Sequence, residues 1–457
     1  MSKASKYNLT EGPIFKRLLK LSLPIMATSL FQSAYNLTNM FWLSYLGEEY
    51  VAAAGLGSQF IWLSFSLIML CRIGAEIGVS QNMGKGDPGT AKSFAQNGFM
   101  LALITGAAFA VFLIALRVPL LGLFGIENPY VADQAQLYLG IAAIAIPLTF
   151  GHFAITGVFG GFGNTKVPFV INSAALVLNI ILSPIFIFVL NMGIAGAALS
   201  IIVSNIFNIS LKIWAMTKYR DRPFPTFAPF ARMVGSKIKQ IFRWGTPVAA
   251  ESILFTISFM LMTGVIVSFG DSAVAAHQVG MQVESLSFMV GGGFASAITA
   301  FIGQNFGAKK WGRMRRTVRV AYTFMGIYGV VMTVTLFFGA EAFVSIFLDN
   351  PESIQIAGDY LRIVALAQIL FCLEGVAAGS FRGRGMTMKP TIASVSSNVV
   401  RVALVFALAA TALGVTGVWW AIAAAMTIRS TWVLLWHYFN MKKLPKTDED
   451  ATNENKV

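Results

Sequence analysis

The sequence predicts an all-α integral membrane protein, with twelve transmembrane helices in two pseudo-symmetric six-helix bundles related as a parallel repeat. Three observations carry that prediction. The 457 residues are 56% hydrophobic and only 12% charged, about half the charged share that a water-facing surface needs. Uncharged runs such as 101–116, 179–190 and 402–413 supply, with their flanks, the roughly 20 residues that cross a bilayer as a helix. The second half of the chain also repeats the first.

The spans fall at about 14–46, 50–82, 92–117, 131–159, 166–190 and 193–217, then 237–269, 273–306, 315–345, 352–382, 389–412 and 416–440. This divides the chain into a cytoplasmic N-terminal segment (1–13), a first lobe (14–217), a linker (218–236) holding Pro223, Pro225 and Pro229, a second lobe (237–440) and a cytoplasmic tail (441–457). From Lys446 onward the tail is polar and reads as disordered. The segment before span 1 is short and basic, and does not read as a cleavable signal.

Aligned on itself, the chain sets Pro24 on Pro247, Gly47 on Gly270, Val51-Ala52-Ala53 on Val274-Ala275-Ala276, and Gln81 on Gln304. Further along, Asn128-Pro129 meets Asn350-Pro351, Tyr138-Leu139 meets Tyr360-Leu361, and Gly157-x3-Gly161-x-Gly163 meets Gly379-x3-Gly383-x-Gly385. The offset drifts by only two positions along the whole repeat, which chance does not produce. An even number of spans per copy keeps both copies in one orientation, so the pseudo-twofold axis runs along the membrane normal, an architecture of transporters.

The formal charge of +14 invites a nucleic-acid reading, and its distribution argues against one. Among the 34 Lys and Arg, Arg117 stands at an outer helix end, and Arg72, Lys212, Arg362, Arg401 and Arg429 lie inside spans; the rest fall on the opposite side. Outer connections are acidic, as in Gly47-Glu48-Glu49 and Gly270-Asp271. This is the positive-inside pattern in both halves, with both termini cytoplasmic and the cell (inner) membrane as the location. Cys71 and Cys372 lie within spans, so neither a disulfide framework nor a metal site follows. The sequons at Asn8, Asn36 and Asn208 read as chance matches. Nothing in the sequence forms a nucleophile–base motif or a metal-ligand cluster, and no cofactor is expected.

Ionisable residues inside spans are costly and mark pathways or partners. Here they are Arg72 and Glu76 in span 2, His152 in span 4, Glu251 in span 7, His277 and Glu284 in span 8, Glu374 in span 10, Arg401 in span 11 and Arg429 in span 12. Arg72 and Glu76, one turn apart, most simply pair with each other. Glu251, Glu284 and Glu374, with His277 near, form a cluster able to bind and release a proton or Na+. Glu251 leads it, four residues past the helix-breaking Pro247. Asn36, Asn39, Asn172 and Asn179 offer uncharged hydrogen bonds in the first lobe, to substrate or between helices. Phe255, Met281 and Met289, with Gln278 and Gln282, are the second-lobe candidates for contact with flat organic cations. Gly291-Gly292-Gly293 reads as a flexible or unwound point in span 8.

The motifs "LSLPI" at 21–25, "GAEIGVSQNMG" at 74–84, "GFGNTKVP" at 161–168 and "GIAGAALS" at 193–200 carry a resemblance. In the second half "AAHQVGMQVESLSFM" at 275–289, "GQNFGAKK" at 303–310 and "GSFRGRGMTMKP" at 379–390 continue it. Over roughly 15–440 the chain resembles the multidrug and toxic compound extrusion (MATE) family. The resemblance implies a V-shaped pair of bundles and export of small organic compounds by alternating access between the two lobes, in antiport with H+ or Na+. Departures matter. The span-1 aspartate of one branch is Asn39, the span-5 pattern N-x3-D-P reads Asn179-x3-Ser183-Pro184, and Ile201 replaces a common threonine. Glu251 matches the span-7 glutamate of another branch, while that branch's span-10 aspartate aligns with Phe371, one turn from Glu374. Coupling is therefore expected at Glu251, with any Na+ bound there, and with Glu284 and Glu374 assisting. The expected partners are small-molecule substrates and the lipid bilayer, for a monomer. A flippase of a lipid-linked or cell-envelope precursor competes, as does, from another class, a passive channel or receptor.

Overall fold

The computed structural model describes residues 7–445, excepting the side chains of 32–37. Its helices are α1 (Ile14–Ser44), α2 (Glu48–Lys85), α3 (Pro88–Gly122), α4 (Pro129–Ala143), α5 (Ile146–Phe162), α6 (Lys166–Pro184), α7 (Gly193–Thr217), α8 (Gly235–Val267), α9 (Asp271–Gly307), α10 (Trp311–Phe338), α11 (Ala340–Val344), α12 (Pro351–Gly383), α13 (Met388–Ala409) and α14 (Val415–Lys442). A π-helical turn, Ile185–Val189, extends α6. Among the described residues nine helices are long and apolar enough to cross a membrane, and two bent pairs each make one more span. At 31 residues α1 has the length of a span as well. The expected tail beyond Lys446 lies outside the described residues.

The chain divides into two compact units, one built on Leu23–Ala249 and the other on Leu9–Ser22 with the described residues from Ala250 onward. In the first, α2 packs on α3, α4 and α5, and α7 packs on α4, α5 and α6. In the second, α9 and α10 pack on α12, and α14 packs on α12 and α13. Each unit has its own apolar core, the first around Phe94, Phe99, Phe150 and Phe159, the second around Tyr360, Leu361 and Trp419. Large apolar side chains remain exposed at helical spacing, as with Ile327, Val330, Val331, Val334 and Phe338 on α10, the pattern of a lipid-facing stripe.

The repeat reappears as packing. A Cβ on Gly157 would stand 2.6 Å from the carbonyl oxygen of Arg72, and one on Gly379 would stand 2.5 Å from that of Ala295. Gly161 against Glu76 O (2.6 Å) and Gly383 against Thr299 O (2.5 Å) repeat the same contact one turn on. These small-xxx-small faces let backbones touch where lipid supplies no hydrophobic drive between helices. The turn after each face is also duplicated, since Gly163 (φ 97) and Gly385 (φ 77) both adopt the left-handed conformation that a side chain disfavours. Asn128 and Asn350 accept from the backbone N–H of Tyr130 and Glu352, at 3.0 and 2.9 Å, and cap helices that begin with proline.

Spans 4 and 10 are bent at matching places, by 44° between Pro129–Ala143 and Ile146–Phe162, and by 52° between Pro351–Ala365 and Gln368–Gly383. Hydroxyls add a bond to carbonyls at the bends, with Thr149 donating to Ala145 O at 2.9 Å and Thr333 to Ala365 O at 3.0 Å. The Gly291–Gly293 run, expected to unwind, is instead continuous helix within α9. Gly291 faces Phe371 and Gly375 of α12 at ordinary contact distance, so packing across that face holds the run helical.

Candidate functional site

The second unit brings the three carboxylates onto adjoining helices, each with different partners. Glu284 of α9 is buried. Its Oε2 accepts from the Tyr360 hydroxyl at 2.5 Å and its Oε1 from the Gln368 amide at 3.1 Å. Gln368 in turn accepts from Ser287 at 3.0 Å. Tyr360 lies before the bend in α12 and Gln368 just after it, so one carboxylate ties both segments of the broken span. Glu374, on the segment after the bend, accepts from Arg429 Nε at 3.0 Å and from the Ser430 hydroxyl at 2.8 Å. Glu251 of α8 is held least firmly, by Arg382 at 3.4 Å and Thr391 at 3.3 Å, and keeps 19% of its side chain exposed. Arg429 also lies within the field of Glu251, which links these two acids through one guanidinium.

His277 is buried. It stacks on Trp419 (centroids 5.4 Å, planes 9° apart), lies 5.9 Å from Phe259 and meets Tyr360 edge-on. This puts it beside the Glu284 site, enclosed in aromatic rings. Phe255 lies under the Arg401 guanidinium at 5.0 Å. Arg401 is buried, yet its Nε and Nη2 have no hydrogen-bond partner among the described residues, and neither has the Asn398 amide nitrogen one turn earlier. Gln278 and Gln282 share an exposed face of α9, Met281 packs against the core, and Met289 is partly buried.

In the first unit Asn179 is fully buried and donates to Ser200 at 3.1 Å, while Ser183 and Ser200 bond at 2.9 Å. Asn39 is partly buried, and the Asn36 side chain lies outside the described residues. Asn172 accepts from Asn208 at 3.1 Å and from Lys212 at 2.8 Å. The Lys212 cluster is what sequence reasoning missed. Lys212 showed as a charge within a span, but its surroundings come from three helices and have no local signature. The same holds for Tyr360, Gln368, Arg382 and Thr391, which reach their acids from distant parts of the chain.

A duplicated bundle of membrane-spanning helices, bent at equivalent places and holding partnered charges inside its spans, has the build of a membrane transporter. The MatE family model matches residues 24–185 and 247–407, one copy in each half. The chain belongs to this MatE family, which comprises transport proteins and not enzymes. Among its relatives, the probable multidrug resistance protein NorM of Thermotoga maritima is 27% identical over 429 residues, 92% of each chain. The multidrug export protein MepA of Staphylococcus aureus is 22% identical, with 92% of this chain and 93% of that one aligned. A crystal structure of MATE in the bent conformation shares the fold, with a TM-score of 0.91 at 21% identity over 98% and 99% of the two chains. A MOP superfamily transporter from Pyrococcus furiosus, described as having a binding pocket of reversed polarity, gives 0.88 at 21% identity over 96% and 99%.

Proposed function

We propose that the protein is a secondary active antiporter that exports small organic compounds, cationic or amphipathic, in exchange for H+ or Na+ by alternating access. On this reading it is a monomer in the cell membrane with both termini in the cytoplasm. The observation that carries the coupling is the loose hold on Glu251, whose two contacts are the longest of the three acids. It exchanges a partner for an ion at the least cost, because bonds of 3.3–3.4 Å contribute least to begin with. An ion at Glu251 changes the field at Arg429, and through Arg429 the hold on Glu374, which lies on the segment of α12 after the bend. A change of charge at Glu284 acts on both sides of the same bend. Ion and cationic substrate then compete for one negative field, and reciprocal coupling makes the exchange run in either direction. Accumulation of a fluorescent organic cation in proteoliposomes under an imposed pH or Na+ gradient tests this. Accumulation that follows one gradient supports antiport, whereas flux indifferent to both supports a passive channel.

One observation favours a second reading, a flippase or exporter for substrates with an acidic group. Donors on Arg401 and Asn398 stand without acceptors among the described residues, and a carboxylate or phosphate would satisfy them. Competition for transport by an amphiphilic phosphate, lost in Arg401→Met, would select this reading.

A further inference from the structure

We propose that Lys212 is a proton-exchange site in the first unit, which names H+ as a coupling ion and rests on the antiport reading above. Lys212 is fully buried on α7. Its Nζ has four hydrogen-bond neighbours: the Asn172 side-chain oxygen at 2.8 Å, Thr156 Oγ1 at 2.9 Å, the His152 carbonyl oxygen at 3.2 Å and His152 Nδ1 at 3.3 Å. All four belong to uncharged groups while His152 is neutral. A lysine kept for structure in a membrane interior gains most from a carboxylate partner, and none bonds to it here among the described residues.

The cage suits two protonation states. An ammonium holds three hydrogens and an amine two plus a lone pair, and His152 Nδ1 can accept from the first or donate to the second. Proton transfer breaks one Nζ–H bond, leaves the electron pair on Nζ and forms an N–H bond at the Nδ1 lone pair. The imidazolium so formed gives its other ring proton to water, and the ring returns neutral. No oxidant, metal or co-reactant is needed. The His152 ring stacks on Phe153 with centroids 4.6 Å apart, which holds its plane.

The charges around the cage give the exchange its sign. On α2, Arg72 acts electrostatically on Lys212, and Glu76 lies one turn along beside Gly160 of α5. His152 is the titratable group of α5, and α6 presents Asn172. On α4 Tyr130 bonds Tyr50, Asp133 is exposed and Tyr138 packs on Gly57. A proton on Lys212 therefore adds a second positive charge near Arg72, and its loss removes one. A cationic substrate entering the first unit favours the loss, which is the competition antiport requires. Asn39, Asn179 and Ser183 of this unit carry no charge.

The test uses full-length protein in detergent with 15N-labelled lysine side chains, comparing wild type with Lys212→Gln and Lys212→Arg. The expected result is a 15Nζ resonance, absent from both variants, that changes from ammonium to amine as pH is raised while the protein stays folded. A Lys212 resonance that stays ammonium throughout overturns the proposal without touching the export reading. In weakly buffered solution, ethidium binding is then followed by fluorescence and proton release by a pH dye. Lys212→Gln is expected to bind ethidium while releasing fewer protons per ethidium than wild type, with Glu251→Gln in parallel retaining the Lys212 share. Equal release from wild type and Lys212→Gln overturns the proposal. Release lost in Glu251→Gln alone leaves the export reading standing and removes Lys212 from it.

Discussion

Replacing Glu374 by glutamine strands a cation inside the second unit. The Arg429–Glu374 pair has an Nε–Oε2 distance of 3.0 Å, and its side chains keep only 16% and 11% of their surface exposed. Removing one member of a buried pair typically costs about 3–5 kcal/mol, since the remaining charge is left desolvated and uncompensated. Glu251 also acts on Arg429 and offsets part of the loss, which puts Glu374→Gln near the lower figure, about 3 kcal/mol. Arg429→Met leaves Glu374 with the Ser430 hydroxyl at 2.8 Å and costs about as much. With both changes together no charge is stranded, and stability returns to within about 1–2 kcal/mol of wild type, as for other buried pairs replaced whole. Equilibrium unfolding in mixed detergent, followed by tryptophan fluorescence, closes the double-mutant cycle. Single effects that add within about 0.5 kcal/mol, as independent sites do, would refute the reasoning.

Further expectations follow from particular contacts. Gly379→Ala drives a Cβ to 2.5 Å from Ala295 O and costs about 1–3 kcal/mol through overpacking. Gly292→Ala meets nothing within 4 Å and gains up to about 1 kcal/mol of helix propensity, so the pair read by thermal unfolding separates packing from propensity. Tyr360→Phe removes the hydroxyl that donates to Glu284 and destabilises by about 1.5–3 kcal/mol, the range for a bond to a charged group. At the α2–α3 turn, hydrogen bonds from Thr90 hold the Asp87 carboxyl below its ordinary value of 3.8. Its contribution is therefore fully present above that value and is lost as pH falls through the lowered folded value. Acid unfolding compared between wild type and Asp87→Asn, which keeps the cap without the charge, reads this directly, with the difference confined to that window.

The spans and the repeat were legible because they rest on composition and on pairs such as Pro24/Pro247 and Gly161/Gly383, which survive any error in helix boundaries. The bend in α12 was not, since Ala365-Leu366-Ala367-Gln368 contains no proline or glycine to announce a break, unlike its counterpart in span 4, which Pro147 follows. The Gly291–Gly293 run misled for the opposite reason, because packing against α12 overrides the weak propensity of three glycines. At the site, carboxylates inside apolar runs stood out by their cost, whereas their partners did not. Tyr360 and Gln368 look like ordinary span residues until α12 lies against α9. Asn172 looked like a candidate for substrate and proves to hold Lys212 as well. The 3.3–3.4 Å contacts that distinguish Glu251 from its neighbours are matters of distance alone.

Coupled export centred on Glu251 is tested most directly by comparing wild type with Glu251→Gln in proteoliposomes of fixed protein content. Uptake of the fluorescent cation is measured under a pH gradient, under a Na+ gradient and in equilibrium exchange with no gradient. The account predicts that the variant still exchanges substrate at equilibrium but loses the concentrative uptake that one gradient drives in wild type. Concentrative uptake that persists unchanged in Glu251→Gln would contradict it, and would move the coupling away from the acid that the second unit holds most loosely.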